Sequence, residues 1–317
     1  MDSYSLINSL THKRVLITGA TGLVGSALLS QLRKRGFSNV LALGSRDCDL
    51  RDTPKVRGVI ESFHPHYIFH LAARVHGLGG NLRYKSDILV DNVLINTNVI
   101  EAARVSGVEK IVAMGSGCVY PEITAGRELS EDSIWMGPPH PSEDSYAHAK
   151  RLMLAHLSAA QRQYGLRFAF VVSGNLYGPK DNFNMEEGHV IPSLVAKFHA
   201  ARQEGTVATV WGSGAAIRDF TYSDDAAEAL LYILMRADGA INLGTGFRHS
   251  IAEIAHELGI IAGVPVQWDS SKPDGQLERY YDLTQLSATG FQPSVTLPEG
   301  LRRTYSWYAN NFRDARK

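Results

Sequence analysis

The sequence predicts an α/β protein with a doubly wound parallel sheet (a Rossmann fold) and a smaller α/β lobe. Three observations predict this fold. Short apolar runs rich in β-branched residues alternate with amphipathic stretches through residues 1–172, which is typical of a parallel sheet with helices on both faces. A glycine-rich turn follows the first of these runs. After Val172 the pattern changes to shorter elements and to loops rich in Gly and Pro.

The strands are predicted from apolar runs of four to six residues, bounded by turn residues. They cover residues 14–18, 40–43, 67–71, 110–114 and 167–172. Sheets of this class bind their ligands at the carboxyl ends of the strands. The residues that follow each run are therefore the first candidates for a functional site.

The helices are predicted from apolar residues at helical spacing. They cover residues 23–35, 92–105 and 144–164, and a last helix covers 298–312. In the second of these we expect Val93, Ile100 and Val105 to face the core. We expect residues 1–172 and about 219–245 to form the dinucleotide domain, and about 173–218 and 246–317 to form the smaller lobe.

The composition excludes several classes of protein. Among 317 residues, Lys plus Arg and Asp plus Glu both number 32, so no global charge favours nucleic acid or an anionic membrane. No apolar run is long enough to span a membrane, and the N-terminus lacks the features of a signal peptide. The two cysteines, Cys48 and Cys118, make neither a disulfide framework nor a metal cluster. We therefore expect a cytoplasmic protein without a metal site.

The glycine-rich turn predicts a dinucleotide site. It reads Gly19-Ala20-Thr21-Gly22-Leu23-Val24-Gly25, which is GxxGxxG directly between a strand and a helix. Glycines allow a tight turn in which backbone N–H groups approach a pyrophosphate at the positive end of the helix. The alternative, a purely structural turn, is disfavoured by this context.

The end of the second strand indicates which dinucleotide binds. An acidic residue there favours NAD, whereas a basic residue favours the 2′-phosphate of NADP. Ser45 and Arg46 therefore indicate NADP(H), while Asp47 and Asp49 either point at the ribose or are solvated. After the third strand, the small residues of Leu71-Ala72-Ala73 let the backbone pass close to the cofactor.

Tyr146 and Lys150 form a YxxxK pair, which lies on one face of a helix. A cationic lysine lowers the pKa of a neighbouring phenol below its free value of about 10. Such a phenol exchanges a proton with a carbonyl or alcohol oxygen. Ser116, after the fourth strand, can hydrogen-bond to the same oxygen. The alternative is an exposed helical pair without a catalytic role.

These motifs resemble those of the extended short-chain dehydrogenase/reductase family, and within it the GDP-L-fucose synthases, which are GDP-4-keto-6-deoxymannose 3,5-epimerase/4-reductases. The resemblance extends from about residue 14 to residue 307. It is carried by AARVHGLGGN (72–81), GSGCVYP (115–121), YAHAK (146–150), GNLYGPKDNF (174–183), HVIPSLVAKFH (189–199), VWGSGAAIRDF (210–220) and KPDG (272–275).

The resemblance implies roles for individual residues. Ser116, Tyr146 and Lys150 correspond to the reductase triad, and Cys118 and His189 to the acid/base pair of epimerisation. Both of the latter residue types are also common as buried structural residues. The resemblance further implies that the second lobe binds the nucleotide sugar, and the substrate-binding candidates are Asn175, His189, Lys197, Trp211, Arg218 and Arg279. For Trp211, core packing is the alternative. A homodimer formed through helices 92–105 and 144–164 is also implied.

Three departures from the family pattern concern the sugar site. Gly117 stands where GSSCIYP has its second Ser, Gly174 stands where PTNLYGP has Thr, and His76 interrupts AAKVGG. They leave open which sugar is bound, a heptose included. They also leave open whether reduction at C4 and epimerisation both occur.

Three alternative functions are disfavoured by the sequence. A 4,6-dehydratase needs an Asp-Glu pair where this chain has Gly117-Cys118, and a UDP-hexose 4-epimerase holds NAD tightly, whereas Arg46 indicates exchangeable NADPH. A non-catalytic NADP(H) sensor or scaffold is disfavoured because Ser116, Tyr146 and Lys150 are all present.

Overall fold

A parallel sheet of six strands forms the centre of the protein. The computed structural model describes residues 3–122, 128–186, 188–271, 278 and 280–317. The strands are β1 (Val15–Thr18), β2 (Val40–Leu43), β3 (Tyr67–His70), β4 (Lys110–Met114), β5 (Glu128–Leu129), β6 (Arg167–Ser173), β7 (Asn175–Tyr177), β8 (Ala208–Trp211), β9 (Ile217–Arg218), β10 (Phe220–Tyr222), β11 (Gly239–Leu243), β12 (His249–Ser250), β13 (Val266–Asp269) and β14 (Tyr280–Tyr281). The central sheet has the order β11-β6-β4-β3-β1-β2.

Helices connect the strands of the sheet and cover both of its faces. They are α1 (Ser3–Asn8), α2 (Leu23–Lys34), α3 (Thr53–Phe63), α4 (Leu78–Arg83), α5 (Lys85–Val105), α6 (Asp144–Tyr164), α7 (Val190–Glu204), α8 (Ser223–Arg236), α9 (Ile251–Ala262), α10 (Thr284–Ala288) and α11 (Leu297–Asn311). Two 3₁₀ turns lie at Gly117–Val119 and Glu131–Trp135.

The side chains of each strand alternate between two buried layers, as a sheet buried on both faces requires. Leu16 and Ile68 pack on one face against α3, α5 and α6. Ile17 and Phe69 pack on the other face against α2 and α8. All pairings within the six-stranded sheet are parallel. The predicted fold class is therefore confirmed.

A third apolar cluster lies outside the sheet. It joins α7, α9 and α11 with β8 and β10, and Phe198, Leu258 and Tyr308 are among its buried side chains. Short strand pairs, β10 with β7, β12 with β9 and β13 with β8, accompany it. These elements come from the part of the chain where the sequence pattern becomes irregular.

The predicted elements agree with the structure to within one residue at most boundaries, but α5 differs. It begins at Lys85, seven residues before the predicted start, and the expectation for its core face is partly wrong. Ile100 is fully buried, whereas Val93 is only partly buried and Val105 is 54% exposed. The helix instead buries Asn92 and Asn96. The Asn92 amide is hydrogen-bonded to the backbone of Arg74, and Oδ1 of Asn96 is hydrogen-bonded to His70.

None of the helices in the described residues is long and apolar enough to cross a membrane.

Gly25 has no room for a side chain. A Cβ at this position would overlap with the carbonyl oxygen of Gly19 and lie 2.8 Å from Cα of Ala20, both backbone atoms that cannot rotate away. We expect Gly25→Ala to lower the free energy of unfolding by about 1–3 kcal/mol, as measured by urea denaturation.

Gly58 provides the matched control for Gly25. It lies inside α3, and an added Cβ would meet nothing within 4 Å. Gly58→Ala should therefore stabilise the protein by about 0.5–1 kcal/mol. If both variants are stabilised, the close approach of helix and turn at Gly25 is not the constraint that the geometry indicates.

Candidate active site

A cavity of about 750 Å³ lies at the carboxyl edge of the central sheet. It is lined by residues that directly follow β1, β2, β3, β4 and β6, and by side chains of α6 and of the segment before α7. This is the edge at which parallel sheets bind their ligands. Most of the predicted site residues meet in this cavity.

The glycine turn forms one wall of the cavity. Gly19 has a φ of +72°, and a Cβ there would lie 2.8 Å from the backbone nitrogen of Ala72, so the turn passes directly against the chain after β3. Helix α2 begins at Leu23 with Gly22 as its N-cap, and no side chain caps it. Its first-turn N–H groups thus face the cavity, as an anionic diphosphate requires. Thr21, Leu23, Val24 and Gly25, together with Leu71, Ala72 and Ala73, also line the cavity.

The residues after β2 are arranged differently from the expectation. Arg46 is exposed and does not line the cavity. Asp47 accepts a hydrogen bond from the Gly44 N–H at 2.7 Å and so closes the turn. Asp49 does line the cavity, where it is paired at 2.9 Å with Arg51. Arg51, which the sequence reasoning passed over, places a guanidinium at this end of the cavity.

A buried hydrogen-bonded chain links the carboxyl ends of β1 and β3 to α5. His70 lies 2.8 Å from Oγ1 of Thr18 through Nδ1 and 3.0 Å from Oδ1 of Asn96 through Nε2. Burial, with a smaller effect of Lys150, lowers the pKa of His70 to about 3, so the ring is neutral at physiological pH. The same Thr18 hydroxyl accepts from the Ala72 N–H at 3.3 Å. This chain holds the end of β3 in place, and the sequence pattern did not reveal it.

The predicted triad lies together in the cavity. Ser116 caps the 3₁₀ turn after β4, and Tyr146 and Lys150 project from α6. Nζ of Lys150 donates to the carbonyl of Met114 at 2.7 Å and lies 5.6 Å from the centroid of the Tyr146 ring. All three residues line the cavity.

The electrostatics of this pair correct one expectation. Burial, followed by Cys118 and Glu143, raises the pKa of Tyr146. Burial also lowers the pKa of Lys150 to about 8. The expectation of a lowered tyrosine pKa is therefore wrong for this structure, because desolvation outweighs the nearby cation. Tyr146 is a neutral phenol at neutral pH and can donate its proton.

Cys118 and His189 line the same cavity from different elements. Cys118 lies in the 3₁₀ turn, is only 5% exposed and is not part of a disulfide. His189 is the N-cap residue of α7 and is exposed. A thiol and an imidazole thus face one enclosed space. Cys48 is also buried and reaches the cavity wall.

The predicted substrate residues divide into two groups. Asn175 lines the cavity and donates to the carbonyl of Asp219 at 3.2 Å. Lys197, Trp211 and Arg218 lie outside the lining of this cavity. Lys197 lies 4.4 Å from the ring centroid of Trp211, which is 49% exposed, so core packing is excluded for this tryptophan. Arg279 and the KPDG segment lie outside the described residues.

Asp181 is a cavity residue that the sequence reasoning missed. Its side chain is 6% exposed. Oδ1 accepts from the Asn182 N–H at 2.7 Å, while Oδ2 is buried and has no hydrogen-bond partner in the structure. Burial raises the pKa of Asp181 to about 6, and His189 opposes this rise. A buried carboxylate therefore lies close to the imidazole.

The described residues contain no group of three or more His, Cys, Asp or Glu side chains that could hold a metal ion. The chemistry available in the cavity is that of a phenol, an amine, a thiol, an imidazole and a carboxylate.

The geometry agrees with comparisons to known proteins. The model of the NAD dependent epimerase/dehydratase family matches residues 15–244. The chain belongs to this family. It is similar to the probable GDP-L-fucose synthase 1 of Oryza sativa subsp. japonica, with 36% identity over 310 residues, 96% of this chain and 94% of that protein.

Solved structures show the same relationship. A GDP-L-fucose synthetase from Naegleria fowleri bound to NADP has 33% identity and a TM-score of 0.90, and the match covers 96% of this chain and 95% of that one. A GDP-6-OMe-4-keto-L-xylo-heptose reductase from C. jejuni has 28% identity and a TM-score of 0.87, covering 95% and 99% respectively.

The raised pKa of Asp181 predicts a pH-dependent stability. Because the value rises from 3.8 to about 6, the native state binds this proton more tightly than the unfolded state. The stabilisation is complete below about pH 4 and is lost as the pH rises through 6. From pH 5 to pH 8, wild type should therefore lose about 1 kcal/mol relative to Asp181→Asn, as measured by urea unfolding.

Glu186→Gln is the control for Asp181→Asn, because Glu186 is an exposed carboxylate on the same loop. The loss of stability expected for the buried Asp181 should not be reproduced by this exposed side chain. A constant difference in stability between Asp181→Asn and wild type would show that the carboxyl ionises as a solvated one does.

Proposed function

We propose that the protein is an NADPH-dependent epimerase/reductase of a GDP-linked 4-keto-6-deoxy sugar, as in GDP-L-fucose synthesis. The observation that carries the proposal is that Tyr146, Cys118 and His189 line the cavity whose wall is the glycine turn. One substrate in this cavity could meet both a proton donor for its ketone oxygen and two acid/base groups for the neighbouring carbons. The GDP-L-fucose synthases of the family supply the substrate class.

Epimerisation depends on the acidity that a ketone gives to its neighbours. A 4-keto group acidifies the hydrogens on C3 and C5, since the resulting negative charge is delocalised onto the ketone oxygen. In the proposed mechanism Cys118 and His189 remove and return protons at these carbons from opposite faces of the sugar. The Ser116 hydroxyl and the Tyr146 phenol stabilise the oxygen as charge develops on it.

Reduction of the ketone at C4 then follows. When bound, NADPH supplies the hydride that reduces C4. Tyr146 gives its proton to the C4 oxygen, and Lys150 stabilises the phenolate that remains. Lys150 is suited to this role because Met114 fixes its Nζ, and because its pKa of about 8 leaves most of it protonated at pH 7.

The backbone that surrounds the cavity suits a dinucleotide. Gly19 and Gly25 keep the turn free of side chains, and the uncapped start of α2 suits a diphosphate. We assign the pyrophosphate to this turn. For the 2′-phosphate, Arg46 is the sequence-based candidate, and its exposed side chain is free of the cavity wall.

We further propose that residues 1–172 and about 219–245 form the lobe that binds the cofactor. Residues about 173–218 and 246–317 would form the lobe that binds the nucleotide sugar. Lys197, Trp211, Arg218 and Arg279 would then bind the nucleotide beyond the catalytic cavity. The contact of Lys197 with the exposed Trp211 ring supports this assignment, since an exposed aromatic face is available to stack on a base.

A cytoplasmic homodimer is part of the proposal. The contact would be formed by α5 and α6, which pack side by side on one face of the sheet. Val90, Leu94, Leu152 and Tyr164 are large apolar side chains exposed on these two helices. Such exposed apolar side chains are typical of an interface between subunits.

A reductase that acts only at C4 is the second candidate. Its support is the similarity to the C. jejuni heptose reductase and the altered residues Gly117, Gly174 and His76. Against it, the thiol and the imidazole that epimerisation requires both line the cavity.

Incubation with GDP-4-keto-6-deoxymannose and NADPH in deuterated water tests the function. We expect NADPH consumption, read by absorbance, and deuterium at C3 and C5 of the product, read by mass. NADPH consumption without deuterium would support the C4 reductase, and deuterium without consumption would indicate an epimerase. No reaction would contradict the proposed substrate.

Cys118→Ser is the control variant for this incubation. It keeps a hydroxyl in place of the thiol, but a serine hydroxyl ionises far less readily than a thiol and so supplies far less of the anion that would act as the base. Deuterium incorporation should fall more than hydride transfer does. If incorporation is unchanged, Cys118 is a structural residue.

Tyr146→Phe should abolish NADPH oxidation because the ketone oxygen loses its proton donor. The loss should be about 10²–10⁴-fold, the contribution of a positioned acid. Binding of NADPH, measured by fluorescence titration, should stay within a factor of two or so of wild type, since only one hydroxyl is removed. Near-normal turnover would mean that another group protonates the product.

A further inference from the structure

The ring of Tyr281 occupies the space at two of the positions where this chain departs from the family motifs. A Cβ at Gly117 would overlap with the Tyr281 hydroxyl oxygen and lie 3.1 Å from Cζ of the same ring. A Cβ at Gly174 would lie 3.0 Å from its Cε2. Side chains at these two positions, Ser and Thr in the family pattern, would therefore collide with the ring. The two glycines thus leave the space that the tyrosine ring fills, so the residue types at the three positions depend on one another.

Tyr281 is held firmly by its surroundings. It belongs to β14, which pairs with β5, and its ring lies 6.0 Å from that of Tyr120. The buried Asn242 amide donates to the carbonyls of Leu129 and Asp282 at 2.8 and 3.0 Å. The strand pair that carries Tyr281 is thus tied to the central sheet through β11.

Tyr281 lines the cavity in which the sugar is proposed to bind, and it is only 8% exposed. Its hydroxyl oxygen lies where a side chain of Gly117 would begin. The two neighbours of Gly117 in the chain, Ser116 and Cys118, line the same cavity. A ketone oxygen at Ser116 and an acidic carbon at Cys118 would bring the substituent of that carbon to Tyr281.

We propose that Tyr281 is a specificity-determining residue, whose hydroxyl hydrogen-bonds to the C3 hydroxyl of a nucleotide-linked 4-keto sugar. Of the two carbons next to the ketone, C3 carries a hydroxyl, whereas C5 carries the ring oxygen and C6. A phenol both donates and accepts hydrogen bonds, so it suits a hydroxyl and disfavours a hydrogen in its place. The proposal rests on the proposed function for the identity of the sugar.

The first test compares Tyr281→Phe with wild type on two substrates, the 4-keto-6-deoxy sugar and its 3-deoxy analogue. Removal of the hydroxyl should raise KM for the hydroxylated sugar about three- to tenfold and leave KM for the 3-deoxy analogue unchanged. The value of kcat should change less than KM, since Tyr281 takes no proton. An equal effect on both sugars, or no effect on either, overturns the proposal.

Tyr280→Phe is the matched control. It removes a hydroxyl from the adjacent residue of the same strand, but Tyr280 does not line the cavity and instead faces the Arg248 guanidinium, 3.7 Å from its ring centroid. KM for both sugars should stay at the wild-type value. A rise equal to that of Tyr281→Phe would show that the strand, and not the Tyr281 hydroxyl, is responsible.

Binding measurements separate this proposal from the proposed function. Calorimetry with the two corresponding 4-hydroxy GDP-sugars, in the presence of NADP, needs no turnover. A loss of affinity in Tyr281→Phe that is confined to the 3-hydroxy compound supports the proposal even if wild type reduces neither ketone. Equal affinities, or no binding of either compound to wild type, overturn it.

A double-mutant cycle tests whether the residue types at Gly117 and Tyr281 depend on one another. Gly117→Ser alone should lower both the melting temperature and the affinity for the sugar, because the new side chain collides with the Tyr281 ring. Gly117→Ser combined with Tyr281→Leu should restore the melting temperature in part, so that the two effects are not additive. Additive losses would show that Gly117 and Tyr281 do not share this space.

Discussion

The site depends on a close backbone contact between the turn after β1 and the chain after β3. Gly19 adopts a positive φ and approaches the backbone of Ala72, and Gly25 of α2 lies directly on the carbonyl of Gly19. Without side chains at these positions, the helix can begin next to the sheet edge and direct its first-turn N–H groups into the cavity. The buried His70 ring stabilises the same contact. It is hydrogen-bonded to the Thr18 hydroxyl, which also accepts a hydrogen bond from the Ala72 N–H.

The other side of the cavity depends on apolar packing in the second part of the chain. Phe183 is fully buried, and its ring centroid lies 4.5 Å from that of Tyr308 on α11. Its N–H donates to the carbonyl of Arg316 at 2.8 Å. This anchor fixes the loop that carries Asp181 and leads into His189. The imidazole at the start of α7 is therefore positioned by packing within the second part of the chain.

The sequence was sufficient for five of the six strands of the central sheet and for the grouping of most of the cavity residues, whereas β11 was not predicted. Strands β2 and β4 and helix α6 have the predicted boundaries, because their apolar periodicity reflects burial directly. Helix α5 was misjudged because part of its buried face is polar. The Asn92 side chain accepts a hydrogen bond from the N–H of Arg74 and donates one to its carbonyl. Oδ1 of Asn96 is hydrogen-bonded to His70. Partners that are distant in sequence make those asparagines stable in the core, and periodicity carries no sign of them.

Other parts of the site could not be predicted for a related reason. Arg51 lines the cavity and Arg46 does not, and Asp181 is buried in it. Both observations depend on how loops fold over the sheet edge. The three departures at Gly117, Gly174 and His76 suggested only that the sugar site differs. In the structure two of them are explained by a third residue, Tyr281, more than 100 positions away in the chain from each.

In the proposed reduction, the desolvation of Tyr146 and Lys150 decides the direction in which a proton moves. In water, a cationic lysine beside a phenol would favour the phenolate, and the sequence led us to that expectation. In the cavity, desolvation raises the pKa of Tyr146 and lowers the pKa of Lys150 to about 8, because both charged forms lose hydration. The resting state is thus a neutral phenol beside an amine that is mostly charged at pH 7. Only a ketone oxygen that gains electron density during hydride transfer makes loss of the phenol proton favourable. The phenolate then forms next to Lys150, which is held by Met114 and which the new negative charge keeps protonated. Under the proposed mechanism, the site donates its proton in the course of the reduction, and not before it.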